Sequence, residues 1–209
     1  SLNKNIVDEL GISKFIKPFQ LPHPEIAISL KNPNSMTATL AGKKGWIPIS
    51  GNFVDAKDIS THWPTYKDGA NSVGKKVSSN KWRVGRSVLI TSNKAEAEDI
   101  INDPEGVFSH YFLYLNTVGK LASGTLGKDI KLVNELPEAM QKAKDLIIIG
   151  NEKTVTEKLI HFIDTVGPFG TLLLTGHDMT NTKILWNKSF TLMSKSIQPI
   201  LSKYMEQKF

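Results

Sequence analysis

The fold is decided by the stretch IAISLKNPNSMTATLAGKKGWIPIS, residues 26–50. Residues 26–30 are short, apolar and β-prone, which predicts a buried strand. Asn34 or Ser35 is placed to cap a helix that runs through Lys44, and Gly45 is placed to end it. Residues 46–50 predict a second strand, in which Pro48 indicates a bulge or an early end because proline donates no ladder hydrogen bond. The stretch therefore reads as strand, helix, strand.

The same alternation continues along the chain. Further strands are predicted at 84–91 and 171–175, with 146–150 as a candidate fifth strand. Helices are predicted around 64–72, from the Asn93-x-x-Glu96 capping box to Asn102, and over the C-terminal residues. Strands that alternate with helices predict a parallel sheet with helical crossovers.

Four strand–helix units are half of an eight-unit barrel, which usually needs about 250 residues. We therefore expect residues 1–209 to form a single partial barrel domain of the α/β class, with 1–25 as an extended lead-in and 103–145 as a helical insertion. A half barrel leaves two strand edges and one face uncovered, and exposed edges pair with other chains. The predicted partner is a second copy of the chain or a missing N-terminal half.

Composition narrows the class of protein. The chain has 209 residues, no cysteine and a formal net charge of +6, so disulfides and thiolate metal sites are excluded. Its lysines are scattered, which favours a solvated surface over a nucleic-acid interface. No apolar run approaches the ~20 residues of a membrane span, and no signal peptide is visible. These features predict a cytoplasmic protein without a membrane span or a nucleic-acid partner.

The start of the first predicted helix is a candidate anion site. Backbone N–H groups at a helix start attract anions, and the hydroxyls of Ser35 and Thr37 can add hydrogen bonds to a phosphate. The alternative is an ordinary N-cap, which is common to nearly every helix. Spacing alone favours the N-cap.

Two histidines are candidates for a pocket. His62 and Trp63 follow the second strand, where they line an apolar pocket or simply pack a loop. His177 and Asp178 follow the last strand, where acid–base chemistry is one interpretation and helix capping by Asp178 is the other. Arg86 is expected at the outer face or the stability end of a barrel. No metal-binding spacing, GxGxxG motif or Walker loop occurs in the sequence.

An ordered set of segments from about residue 15 to 204 resembles the luciferase-like flavin monooxygenases, the alkanal and limonene monooxygenase group. Each segment is weak alone, but their order is specific. The segments are PHPEIAI at 22–28, PNS at 33–35, AG at 41–42, GWIP at 45–48, WRVGRS at 82–87, IGNEKTVTEKL at 149–159 and VGPFGTLLLTGHD at 166–178.

The resemblance implies strands five to eight of a (β/α)8 TIM-type barrel, with an insertion before the seventh helix. It implies that Asn34, Ser35, the backbone of Met36, and Thr37 hold the phosphate of FMN. The family usually has small residues where Leu30, Lys31 and Asn32 stand in this chain. The family's active-site histidine belongs to the strands that have no counterpart here, so no catalytic residue is assigned.

The implied activity is oxygenation of a small apolar substrate such as an aldehyde, an alkane or a terpene. It uses dioxygen and reduced FMN, which a separate flavin reductase supplies. Because the N-terminal half is missing, we expect the chain to be inactive alone. Two alternatives stay open: a flavin-free, non-catalytic oligomeric remnant of the family, and a deazaflavin-dependent reductase of the same superfamily.

Overall fold

Six short strands, all in parallel pairs, form the sheets of this mixed α/β fold. The structure is a computed structural model that describes residues 19–125 and 132–209. A four-stranded sheet has the order β1-β2-β3-β6, and a two-stranded sheet pairs β4 with β5. The strands are β1 (Ala27–Leu30), β2 (Ile47–Ser50), β3 (Arg83–Arg86), β4 (Val88–Ile90), β5 (Ile148–Gly150) and β6 (Thr171–Leu174).

Helices connect the strands, and their starts follow the capping residues that the sequence predicted. Ser35 caps the first helix through its side chain, and Gly45 ends it with a φ of 76°. Asn93 Oδ1 accepts from Glu96 N, and Glu96 Oε2 accepts from Ser92 N, which is a reciprocal capping arrangement. The helices are α1 (Met36–Lys44), α2 (Ala56–Ile59), α3 (His62–Asn71), α4 (Lys94–Asn102), α5 (Val107–Ala122), α6 (Leu132–Leu146), α7 (Glu152–Val166), α8 (Lys183–Leu192) and α9 (Gln198–Lys208), with a 3₁₀ turn at Ser79–Lys81 and a π-helical turn at Met193–Ile197.

The predicted strand over 84–91 is two strands. β3 pairs with β6 along its whole length, whereas β4 pairs with β5. The division falls at Ser87, where the pairing partner changes: Arg86 O accepts from Thr175 N just after β6, whereas Ser87 O accepts from Ile148 N of β5, each at 3.0 Å. The candidate strand at 146–150 is therefore real but lies in the second sheet. The predicted insertion contains α5 and α6, and part of it, like most of the lead-in, lies outside the described residues.

Pro48 does not interrupt β2, so the expected bulge or early end was wrong. Ile47 N donates to Ile26 O on the β1 side. The backbone N–H groups of neighbouring residues in a strand point to opposite sides. The nitrogen of Pro48, which carries no hydrogen, therefore faces β3. The pairing of β2 with β3 begins only at Ile49, and no hydrogen bond is lost.

The two faces of the four-stranded sheet have different surroundings. The covered face, which includes Leu30, Ser50, Val84 and Arg86, is buried under the helices. On this face Val84 packs in one core cluster with Val155, Leu159 and Phe162 of α7 and with Ile197 and Leu201 near the C-terminus.

The open face is the opposite side of the same strands. Its residues Ala27, Ser29, Arg83 and Thr171 are exposed, while Ile47 and Gly85 are buried. A parallel sheet is ordinarily covered on both faces. Within the described residues, this sheet is buried mainly on one face, where Ile28, Leu172 and Leu174 remain half-buried.

A second core cluster lies beside the two-stranded sheet. It packs Leu89 and Ile149 against α4, α5, α6 and Trp186 of α8. No helix of the described part of the chain is long and apolar enough to cross a membrane.

Candidate functional site

The loops that follow β1, β2, β3 and β6 carry the polar residues of interest. Because these strands are parallel, their carboxyl ends lie at one edge of the sheet, where ligands of open and closed α/β sheets bind. The loops place three groups of side chains at this edge: the start of α1, a buried set around His62, and a half-buried set around His177.

The start of α1 has the features of an anion site and of an N-cap together. Ser35 Oγ accepts from Ala38 N at 3.1 Å, so the hydroxyl does cap the helix. Asn34 has a φ of 49°, and its N–H donates to Thr61 Oγ1 at 2.9 Å. The N–H groups of Met36 and Thr37 form no hydrogen bond to any described residue, and both side chains are exposed. The loop thus presents two free N–H donors and an accessible hydroxyl.

His62 is fully buried and joins three chain segments. Its Nε2–H donates to Asn32 O at 3.0 Å, which leaves Nδ1 as the acceptor from the Ser50 hydroxyl at 2.8 Å. Trp82 Nε1–H in turn donates to Ser50 Oγ at 2.8 Å. Burial lowers the pKa of His62, although the Asn32 hydrogen bond and the Asp58 charge oppose this. A neutral imidazole satisfies every donor and acceptor in this series of hydrogen bonds. The geometry therefore gives His62 a structural role beneath the α1 loop.

Trp63 belongs to an aromatic stack. Its ring lies 5.1 Å from that of Tyr66 and 6.1 Å from that of Trp82, in near-parallel orientation. Trp63 is half-buried. This packing is the second of the two interpretations that the sequence left open, in which the aromatic residues fix α3 to the sheet.

His177 lies in a different group, at the ends of β2, β3 and β6. Its Nε2 is 2.9 Å from Ser87 Oγ, which also accepts from Asn52 Nδ2 at 3.1 Å. Asn52 Oδ1 accepts from the hydroxyl of Tyr111 at 3.1 Å. We call these four residues the His177 cluster. The hydrogen bond and the ring contacts of His177 involve neither His62 nor Trp63. Among the described residues, the three residues predicted for a substrate pocket therefore belong to separate clusters.

Aromatic rings enclose the imidazole of His177. Phe108 and Tyr111 meet it edge-on at centroid distances of 5.0 and 4.8 Å, and Trp186 lies at 6.0 Å. This burial lowers the pKa of His177 to about 4, so the ring is neutral at neutral pH. Ser87 is only 1% exposed, which shields its hydroxyl from a bulky substrate. The cluster can therefore orient a group or hold a proton, but it does not present an accessible nucleophile.

Sequence reasoning missed most of the partners of His177. Asn52 lies just beyond the predicted strand at 46–50, and that position at the carboxyl edge was the available signal. Ser87 lies inside the predicted strand at 84–91, so its place at the end of β3 could not be seen from the sequence. Tyr111 comes from α5, and no local pattern indicates that this helix reaches the sheet edge. Asp178 binds the backbone and hydroxyl of Thr180, which is a local turn and not a partner for His177.

Two comparisons connect this geometry to known proteins. The chain is 26% identical over 178 residues to 3,6-diketocamphane 1,6-monooxygenase of Pseudomonas putida, covering 84% of this chain and 47% of that protein. The solved oxygenating constituent of 3,6-diketocamphane monooxygenase, a type II Baeyer–Villiger monooxygenase in complex with FMN, matches with a TM-score of 0.65 at 25% identity. This match covers 85% of this chain and 49% of that structure.

A more distant structure has a similar fold. The monooxygenase RslO1 of Streptomyces bottropensis matches with a TM-score of 0.57 at 15% identity, over 88% of this chain and 50% of that one. No family model matches the chain. The chain thus spans about half the length of the relatives it matches. Both the sequence and the fold comparisons confirm that this chain resembles the luciferase-like flavin monooxygenases.

Proposed function

We propose that this chain is the C-terminal half, strands five to eight, of a (β/α)8 barrel in an FMN-dependent luciferase-like monooxygenase. The observation that carries the proposal is the open face of a four-stranded parallel sheet in a chain that spans about half of its relatives. In a barrel this face points inward and is covered by side chains of the opposite strands. The second half supplies those strands, and the chain is inactive without it.

The residues at the start of α1 fit the phosphate of FMN. The free N–H groups of Met36 and Thr37 and the Thr37 hydroxyl are donors, and the positive end of the α1 dipole favours an anion there. The Ser35 hydroxyl hydrogen is a further donor, since its oxygen accepts from Ala38. Asn34 holds the loop against Thr61. Exposed Lys31 adds a positive charge nearby in the same loop.

When bound, reduced FMN would supply the electrons for the reaction with dioxygen, with one oxygen atom entering a small apolar substrate and the other leaving as water. The chain's own residues would anchor the phosphate and, through His177, help to form the wall at the carboxyl edge. A separate reductase would supply the reduced flavin. Similarity to a Baeyer–Villiger monooxygenase favours a ketone within that class. A homo-oligomeric remnant, in which a second copy covers the open face, is the competing arrangement.

Light scattering tests the missing half. We expect the purified chain to self-associate, because an uncovered sheet face is an association surface. Thr171→Arg on the open face is expected to weaken association about tenfold, whereas Gln198→Arg on exposed α9 adds the same charge and leaves it unchanged. A chain that stays monomeric, with an open face that binds no N-terminal half, contradicts the proposal. Association so tight that an added N-terminal half fails to displace it favours the remnant.

Flavin titration tests the α1 site. We expect the chain alone to gain no more than about 1 kcal/mol from FMN, and the protein completed with an N-terminal half to bind it. In that protein Ser35→Ala with Thr37→Ala weakens FMN binding. Ser35→Asp is the sharper variant, because aspartate keeps the N-cap but repels phosphate. It should abolish FMN binding while thermal stability is preserved. If the Ser35→Asp variant still bound FMN, the phosphate would have to bind at another place.

A further inference from the structure

A surface cavity of about 640 Å³ lies on the helical side of the molecule, and its lining includes no residue of α1. It is bounded by the loop after β2, the end of α6, the start of β5 and one side of α7. Its apolar wall includes Ala56, Ile148 and Phe162, and its charged wall includes Arg86, Lys57 and Lys144. This volume accommodates a small organic molecule.

Arg86 is a buried cation that forms no ion pair with a described carboxylate. It is 2% exposed, and its guanidinium carbon lies 4.3 Å from the centroid of the Phe162 ring. Nη1 donates to Asn52 O and Leu146 O, and Nη2 donates to Val54 O, at 3.0–3.3 Å. Nε has no hydrogen-bond partner, and Arg86 forms no ion pair within the described residues. Burial lowers its pKa to about 10, although the charge of Asp55 opposes this.

An unpaired buried charge and an unpaired buried donor are both unfavourable. Nε and Nη2 share one edge of the planar guanidinium, and a carboxylate bonds such an edge with two parallel hydrogen bonds. Nε is buried where Arg86 lines the cavity, so an anion that enters at this wall and bonds the edge removes both penalties at once. Backbone carbonyls already hold the guanidinium in place, so its orientation is set before a ligand arrives.

The other charges of the cavity favour a monoanion. Lys57, Lys144 and Lys158 join Arg86 as cations, while Asp55, Asp145 and Glu157 oppose them, and His161 lies among them. Four cations against three carboxylates leave an excess of one positive charge. The three carboxylates repel a phosphate dianion more than a carboxylate, and the apolar wall offers contact to a hydrocarbon body.

We propose that this cavity binds a small organic carboxylate, with the carboxylate at Arg86 and the apolar body against Phe162 and Ile148. The site is independent of the proposed flavin chemistry, because it lies among the outer helices and its ligand carries no redox function. It is a second ligand site on the chain.

Isothermal titration with hexanoate tests the proposal on the chain itself. We expect hexanoate to bind, and both neutral hexanamide and inorganic phosphate to bind at least about tenfold more weakly. Arg86→Gln should weaken hexanoate binding by about tenfold or more. Arg86→Lys keeps the charge without the two-donor edge. Its affinity for hexanoate should lie between those of the wild-type chain and Arg86→Gln.

A rim variant keeps the test decisive if Arg86 variants do not fold. Lys144→Gln on the exposed rim should weaken hexanoate binding about threefold, while Lys203→Gln, an exposed lysine of α9 outside the cavity, should not change it. Equal binding of hexanoate and hexanamide overturns the proposal. So does the absence of hexanoate binding, or an equal affinity of the two lysine variants.

Discussion

The covered and open faces of the four-stranded sheet are built from alternate residues of the same strands, yet they differ in nearly every physical respect. On the covered face, Leu30 and Val84 are fully buried and Ser50 is held in a hydrogen-bond chain. On the open face, Ser29, Arg83 and Thr171 are exposed. The covered face is thus mostly protein interior, and the open face is exposed or half-buried apart from Ile47 and Gly85.

The difference shows where the chain is self-sufficient. The helices after each strand return to one side only, because successive right-handed crossovers in an ordered parallel sheet place their helices on the same face. The order β1-β2-β3-β6 never reverses, so no helix of this sheet is sent to the open face. In a closed barrel the same rule leaves no uncovered face, because the side chains of the strands themselves fill the interior.

The largest effect should come from placing a charge on each face in turn. Val84→Asp buries a carboxylate in the cluster beneath α7 and should lower the free energy of unfolding by about 4 kcal/mol or prevent folding. Ser29→Asp places the same charge on the open face and should change it by less than about 0.5 kcal/mol. Urea denaturation of both variants measures the contrast.

Urea denaturation repeated over a series of protein concentrations is the control for this pair of variants. If a second copy covers the open face, Ser29→Asp destabilises the chain at high concentration and not at low concentration, since association stabilises by mass action. A large loss of stability in Ser29→Asp at every concentration would mean that the open face is buried within the chain itself. The contrast between the covered and open faces would then fail.

A smaller effect separates two serines. Ser50→Ala removes the hydroxyl that accepts from Trp82 and donates to His62, which leaves two buried groups unpaired and should cost about 2 kcal/mol. Ser29→Ala, its counterpart on the open face, should be nearly neutral. Trp82→Phe with Ser50→Ala should cost less than the sum of the single changes, because they share one hydrogen bond. Additive costs would argue against the network.

Local chemistry explains which elements the sequence predicted well. Ser35, Gly45 and Asn93 act on their own helix ends, so their roles could be inferred from spacing and were confirmed. The division of 84–91 could not be inferred, because it depends on two different strands far along the chain, β6 for one part and β5 for the other. The prediction of a bulge at Pro48 failed for a related reason, since a missing donor matters only where the neighbouring strand has already paired.

The candidate site shows the same limit. The position of His177 after a strand was visible in the sequence, but its pairing with Ser87 and its enclosure by Phe108 and Tyr111 depend on α5, which comes from elsewhere in the chain. Arg86 was expected on the outer face or at the stability end of a barrel, and it lies on the covered face, which is the helix side of the sheet. Its lack of an ion pair emerges only from the packing around it.

The third prediction concerns how stability depends on pH through His177, a histidine that the chain buries by itself. The pKa of His177 falls from its ordinary value of 6.5 to about 4 on folding, so between these values the unfolded chain binds a proton more readily than the folded chain. Its contribution to stability is therefore intact above about pH 6.5 and is lost as the pH falls toward 4. The upper limit is about 3 kcal/mol, and partial exposure reduces it to about 1–2 kcal/mol.

Urea denaturation across this pH range measures the effect. His177→Gln should flatten the pH dependence, while His110→Gln, an exposed histidine of α5, should not. Some dependence should remain in His177→Gln, because burial also lowers the pKa of His62. Since His177 lies at the carboxyl edge, a strand half added from outside should bury it further and steepen the slope of the wild-type protein. An unchanged slope in the completed protein would mean that the second half does not reach this edge, and the aromatic enclosure of His177 would then be complete within this chain.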